Sequence, residues 1–119
     1  MSFKFEKLEV WKESIELSSV VHHVTLSFPK DELYVLTSQI KRAVDSISLN
    51  IAEGSTGQTN AEFRRFLSFV IRSGIEVIGC IYLAKKRNLI NEEDFHSIYS
   101  LTDSLVMRIQ ALKKSIPIK

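Results

Sequence analysis

The 119-residue sequence has little that interrupts or cross-links a chain: four glycines, two prolines and one cysteine. So few glycines and prolines exclude a collagen-like or low-complexity chain, and they disfavour a β-sandwich, which needs a turn about every 8–12 residues. A single cysteine excludes an intrachain disulfide. Because Cys80 stands in an apolar run, we expect its thiol to be buried and inert.

The sequence also lacks an uncharged apolar run of the roughly 18 residues that a membrane span requires. Its first residues include acidic side chains and no apolar signal-peptide core, so we expect a cytoplasmic protein without a membrane partner. No charge sign dominates, since 16 Lys and Arg against 14 Asp and Glu give +2. This balance permits nucleic-acid binding without requiring it. The 45% hydrophobic fraction excludes a disordered chain, and the length predicts one domain over residues 1–119.

Apolar residues recur at helical spacing in four long segments, at about residues 6–27, 30–53, 59–87 and 91–114. Gly54 is expected to end the second helix in a left-handed conformation. Thr59 and Glu62 fit a capping box that begins the third helix, and Asn91 is a candidate cap for the fourth. Long helices joined by short turns predict an all-α, up-down-up-down antiparallel four-helix bundle. The predicted core stripe of the second helix is Leu33, Leu36, Ile40, Val44, Ile47 and Ile51.

The third helix has more apolar residues than one core stripe uses, because Phe69, Ile75, Tyr82 and Leu83 fall elsewhere around it. A chain of this size buries only about two-thirds of its surface alone. We therefore expect the extra apolar faces of the first and third helices to support self-association into a homo-oligomer. A well-packed monomer that uses all of these faces is the alternative.

Hydrogen-bonding side chains follow the second helix beside its apolar stripe, and the third helix offers a partial match. This pattern predicts a partly buried polar seam between the two helices, with Arg42 paired to Glu76 and Glu53 paired to Arg65. Glu53 needs such a partner because it faces the negative end of its helix dipole. The seam is interpreted as a network that fixes packing and register, with a ligand site between helices as the alternative. Its residues are Gln39, Arg42, Ser46, Asn50, Glu53, Arg65 and Glu76.

Small basic groups are spread along the chain, and phosphate contacts need such side chains but no particular motif. Lys113 and Lys114, together with Lys119, form one such group. For each group, a solvated face or complementarity to a helix dipole is the alternative. The residues that we expect to contact phosphate are Lys41, Arg64, Lys85, Lys86 and Arg87.

Nothing in the sequence favours catalysis, a metal site or a cofactor, since no phosphate-binding glycine motif and no metal-spaced cysteines occur. His22 and His23 are adjacent and point about 100° apart on a helix, so they do not converge. Glu93 and His96 have the Glu-x-x-His spacing of bundle di-iron sites, but only once. The acidic run that precedes His96 is expected to complement a helix dipole.

Several blocks of the sequence are distinctive. The clearest is Asn50-Ile51-Ala52-Glu53-Gly54, with Gln39, Arg42-Ala43 and Ser46-Ile47 upstream, and others are Phe28-Pro29-Lys30-Asp31-Glu32-Leu33-Tyr34 and Glu62-Phe63 with Arg65-Phe66-Leu67. With these residues the chain resembles the bacterial four-helix-bundle proteins encoded in intervening sequences of 23S ribosomal RNA genes, sometimes labelled S23 ribosomal proteins. The resemblance covers about residues 3–112. It departs at Arg72, where the family usually has glycine, and the arginine would change a tight helix contact or add charge to the polar seam.

The resemblance implies a ring-shaped homopentamer related to the accessory variability proteins of diversity-generating retroelements, which bind nucleic acid and a reverse transcriptase. Five copies would raise the charge from +2 to about +10. The expected partners are other copies of the chain, RNA or DNA, and a nucleic-acid enzyme or ribosomal component. We therefore expect a non-catalytic, nucleic-acid-associated protein, and the alternative is a protein–protein assembly module that binds no nucleic acid.

Overall fold

A computed structural model of the chain describes residues 2–118. A 3-10 turn at Lys4–Lys7 precedes helix α1, Glu9–Val24, which continues into a 3-10 turn at Thr25–Ser27. A second pair of turns, 3-10 at Lys30–Glu32 and π-helical at Leu33–Thr37, leads into α2, Ser38–Gly54. The chain continues with α3, Asn60–Lys86, and α4, Glu92–Ser115. No β-strand occurs between residues 2 and 118.

Each helix packs against the next in the chain, and α4 also packs against α1. The predicted all-α, four-helix bundle is therefore confirmed. The bundle measures 46 × 28 × 21 Å. We call the end that holds the α1–α2 and α3–α4 turns the upper end, and the end that holds the α2–α3 loop the lower end. All four helices contribute to one core, whose fully buried members include Leu17, Val21, Ile40, Ile47, Leu67, Ile81, Ile98 and Ile109.

The predicted helix starts at Thr59 and Asn91 are confirmed by their side chains. Thr59 Oγ1 accepts a 3.0 Å hydrogen bond from the Glu62 backbone N–H, and Asn91 Oδ1 accepts one of 2.7 Å from Asp94. Each bond satisfies an amide that has no partner inside the helix. The Glu62 carboxylate binds Arg65 at 3.1 Å.

Gly54 ends α2 as predicted, but the predicted reason is wrong. The left-handed glycine is Gly57, with φ of 86°. At Gly54, a Cβ atom would lie 2.6 Å from Phe66 Cβ, which is closer than side-chain atoms approach. Glycine is required there because the end of α2 lies directly against the first turns of α3.

The start of the second helical segment also differs from the prediction. Leu33 was expected in the core stripe, yet its side chain is 45% exposed. The π-helical turn at Leu33–Thr37 is wider than an α-helical turn, so it changes which residues face the core. The buried stripe therefore begins at Leu36.

Cys80 of α3 is buried, as predicted, with 3% of its surface exposed. Burial, with a smaller contribution from the Glu76 carboxylate, raises the pKa of the Cys80 thiol to about 11. An 18-residue window of α3 has a mean hydropathy of 1.7, so α3 is long and apolar enough to cross a membrane by length and composition. Within the bundle, 33% of that window is buried.

Candidate nucleic-acid interface

Polar side chains do connect α2 to α3. Gln39 donates a hydrogen bond to Glu76, and the hydroxyls of Ser46 and Ser73 are 2.5 Å apart. Asn50 donates to the Ser46 carbonyl of its own helix at 2.7 Å. Ser46 and Asn50 are half-buried, whereas Gln39 and Glu76 are exposed. The seam is therefore a cross-helix contact around Ser46 with an exposed upper part.

The two predicted ion pairs of the seam are wrong. Arg42 contacts Ser38 Oγ at 3.4 Å, and Arg65 pairs with Glu62 at 3.1 Å. Both arginines thus use partners three or four residues away on their own helix, which side chains reach without crossing a groove. Glu53 is exposed, and its carboxylate forms no hydrogen bond or ion pair within residues 2–118. The structure therefore contains no residue that offsets its position at the helix end.

A polar cluster between α1 and α2 was not predicted. Ser18 Oγ donates to Asp45 Oδ1 at 2.6 Å, and His22 Nε2 lies 3.0 Å from the same oxygen. Because Asp45 stands between the other two, Ser18 is not activated by the imidazole as a nucleophile would be. The i, i+4 spacing of Ser18 and His22 is the signal that could have located this cluster. In the described part of the chain, no group of three His, Cys, Asp or Glu residues is placed to hold a metal ion.

The predicted phosphate-binding residues of the upper end already have acidic or aromatic partners. Lys85 Nζ lies 3.3 Å from Glu92 Oε1 and 4.6 Å from the Phe95 ring centroid. Arg87 Nη1 lies 3.1 Å from Glu32 Oε1. Lys86 is exposed on the same turn. The structure thus brings Lys85, Lys86 and Arg87 together, but two of their three charges are balanced.

The remaining two predicted residues lie elsewhere. Lys41 of α2 is half-buried and lines a shallow depression beside Tyr34 and Thr37. Arg64 of α3 is half-buried at the lower end, where Nη1 donates to the Lys113 carbonyl at 2.6 Å. Arg64 therefore has a structural contact, which sequence reasoning missed because the partner is 49 residues away. The five residues do not form one surface.

Charge is unevenly distributed along the α3–α4 pair. Residues 63–75 and 104–118, which form most of its lower half, contain six basic residues and no Asp or Glu, and the first turn of α3 adds one acidic residue, Glu62. The upper half, residues 76–103, contains three basic and five acidic residues. Arg65 pairs with Glu62 and Arg108 pairs with Glu13, so four of the six basic residues have no acidic partner within residues 2–118. The six basic residues are Arg64, Arg65, Arg72, Arg108, Lys113 and Lys114.

Residues 6–111 match the family described as 23S rRNA-intervening sequence protein. The chain belongs to this family. A structural comparison agrees with the fold: the crystal structure of a protein with unknown function from the S23 ribosomal protein family of Bacteroides thetaiotaomicron superposes with a TM-score of 0.80. The two chains are 21% identical, and the match covers 89% of this chain and 99% of the other. No curated protein matches the sequence.

In this member of the intervening-sequence protein family, the arginine at position 72 does not disturb a helix contact. Arg72 is exposed. The close approach of α3 to α4 occurs two residues later, at Gly74, where a Cβ atom would lie 2.5 Å from Val106 Cγ2. Arg72 therefore leaves that contact intact and adds a positive charge to the basic lower half.

Proposed function

We propose that this intervening-sequence protein is a non-catalytic four-helix bundle that assembles into a ring, expected to be pentameric, and binds RNA or DNA through phosphate contacts in the cytoplasm. The observation that carries the proposal is the lower half of the α3–α4 pair, where four of six basic residues have no acidic partner within residues 2–118. Phosphate contacts are electrostatic and need no base-reading motif.

Assembly into a ring would strengthen the binding of a weakly basic chain to a polyanion. Each copy adds its basic region at a fixed position, so contacts beyond the first become intramolecular. Five copies would carry about 30 basic residues in these regions. Association with a polyanion would then depend strongly on salt, because each phosphate contact releases a counterion.

Exposed apolar residues of α3 support self-association. Ile75 is 62% exposed, Leu83 is 49% exposed, and Val35 lies beside Leu83 in the α2–α3 groove. Gly79 lies between Ile75 and Leu83 on α3, and a Cβ atom at Gly79 would meet nothing within 4 Å. A glycine inside a helix costs about 0.5–1 kcal/mol relative to alanine. No contact within the single chain accounts for this cost, whereas a partner helix approaching closely would.

The basic residues of the upper end, Lys85, Lys86 and Arg87, would make additional phosphate contacts. The ion pairs of Lys85 and Arg87 are exposed, and such pairs are worth about 0–1 kcal/mol. A phosphate could therefore exchange with their carboxylate partners. Together with Lys41 and Lys86 they would form a second, weaker group of contacts towards the upper end.

A protein–protein assembly module is the second candidate, and the exposed apolar residues of α3 favour it. Its partner would be a nucleic-acid enzyme or a ribosomal component held without contact to nucleic acid. Light scattering after size exclusion, with an RNA and DNA pool at low and high salt, separates the two. A pentamer mass that grows with nucleic acid only at low salt supports phosphate binding. A pentamer that ignores nucleic acid at both salt levels contradicts it and leaves the assembly module.

A further inference from the structure

A cleft of about 440 Å³ lies at the lower end of the groove between α3 and α4. Three of its five lining residues are basic, one is an amide and one is apolar, and no carboxylate is among them. Volumes of this size suit a small ligand or one segment of a larger one. The lining residues are Arg64, Ile71, Gln110, Lys113 and Lys114.

Arg64 is held in place by the backbone of α4. Its Nη1 atom donates to the carbonyl oxygens of Lys113, at 2.6 Å, and Ile116, at 3.3 Å. Terminal carbonyls give a helix C-terminus a partial negative charge, which would otherwise repel an anion. The guanidinium both offsets that charge and stays fixed beside the cleft.

The lysines of the cleft have no acidic partner. Neither Lys113 nor Lys114 forms an ion pair within the described residues, in contrast to Lys85 and Arg87 at the upper end. No Asp or Glu occurs on either helix between residues 63 and 75 or between 104 and 118. Three positive charges around one cleft repel each other, and an anion between them removes that repulsion. Lys119, which belongs to the same basic group in sequence, lies outside the described residues.

We infer that this cleft binds a phosphate group, with Arg64 as a fixed hydrogen-bond donor and Lys113 and Lys114 as mobile charges that close over it. An arginine fork suits phosphate oxygens, and lysine contributes a point charge. The inference deepens the proposed function: it rests on that function for the phosphate being part of RNA or DNA. The binding chemistry itself would be the same for a free phosphate compound.

The test compares two double variants that remove equal charge at opposite ends of α3–α4: Lys113→Gln with Lys114→Gln, and Lys85→Gln with Lys86→Gln. Binding of a fluorescein-labelled RNA or DNA strand of about 20 nucleotides is followed by anisotropy from about 50 to 200 mM salt. We expect the lower-end variant to lose about tenfold or more in affinity and about two from the salt slope. The upper-end variant should lose less than about threefold. Equal losses, or a larger loss at the upper end, would overturn the inference.

Inorganic pyrophosphate, titrated by calorimetry, separates failure of the cleft from failure of the proposed function. If the wild type binds RNA or DNA and the lower-end variant binds as tightly, the cleft is wrong while the function stands. If the wild type binds neither polymer but binds pyrophosphate, and the lower-end variant does not, the function fails and the cleft remains a phosphate site. Absence of all three interactions contradicts both. Lys85, Lys86 and Lys114 are exposed and Lys113 is half-buried. Matching circular dichroism melts would show that each variant is folded.

Discussion

Ser18 Oγ donates a 2.6 Å hydrogen bond to Asp45 Oδ1, and this contact joins α1 to α2 across the groove between them. The same carboxylate lies 3.0 Å and 3.1 Å from His22 Nε2. One aspartate therefore serves two side chains of α1 that are four residues apart. All three residues are half-buried, so water only partly replaces these contacts when one is lost.

Replacing Asp45 by alanine should lower the free energy of unfolding by about 1–2 kcal/mol, because Ser18 and His22 then lose their shared partner. Urea denaturation at neutral pH measures the change. Asp103→Ala is the matched control, since Asp103 is exposed on α4 and forms no ion pair in the described chain. Its effect should stay within about 0.5 kcal/mol. Equal shifts for the two variants would show that the cluster contributes nothing to stability.

Two glycines of α3 should respond to alanine in opposite directions. Gly79→Ala should stabilise the fold by about 0.5–1 kcal/mol, because open space surrounds the new methyl group and helix propensity improves. Gly74→Ala should destabilise it by about 1–3 kcal/mol, because the methyl group would lie 2.5 Å from Val106 Cγ2. Thermal melts of the two variants decide the matter, and shifts of the same sign would contradict the packing described for α3.

Self-association through the outer surface of α3 should be lost when charge is placed there. Ile75→Glu combined with Leu83→Glu should reduce the mass seen by light scattering to that of one chain. Both side chains are largely exposed, so the bundle itself should stay folded. Leu26→Glu is the control, because Leu26 is 81% exposed in the α1–α2 turn. An unchanged mass in the double variant would place the contact elsewhere.

Stability should fall in alkali in a way that depends on Cys80. The thiol titrates at about 9 when unfolded and at about 11 in the fold, so the folded chain holds its proton over a range where the unfolded chain releases it. The thiol's contribution is complete below pH 9 and is lost as the pH rises through about 11. At about pH 10.5 the loss should be about 2 kcal/mol. Cys80→Ala lacks this part of the pH dependence, and parallel profiles for wild type and variant would contradict the assignment.

Local sequence was sufficient for the number of helices and for the starts of α3 and α4. The number of segments follows from apolar spacing, and the caps at Thr59 and Asn91 involve atoms only three residues apart. The burial of Cys80 follows from its apolar neighbours in sequence. These features depend on short stretches of chain, where spacing alone determines which side chains meet.

Relationships between helices were not predictable in the same way. The predicted polar seam lies between the correct pair of helices, but Arg42 and Arg65 bind partners on their own helix. A small rotation of a helix about its axis decides such choices, and the π-helical turn before α2 adds one that spacing did not reveal. The cleft at Arg64 depends on a contact with Lys113, 49 residues away, and only the fold brings them together.

The uneven charge of α3–α4 has a consequence for orientation. The bundle is 46 Å long, and the basic residues of the α3–α4 pair that have no acidic partner lie towards one end of that length. A polyanion bound at the lower end, as proposed, would hold the molecule upright, with its long axis perpendicular to the polyanion. An upright molecule covers its 28 Å width of a duplex, about eight base pairs at 3.4 Å each, whereas one lying flat covers its 46 Å length. Copies bound upright could therefore stand close enough along a duplex to touch through their sides.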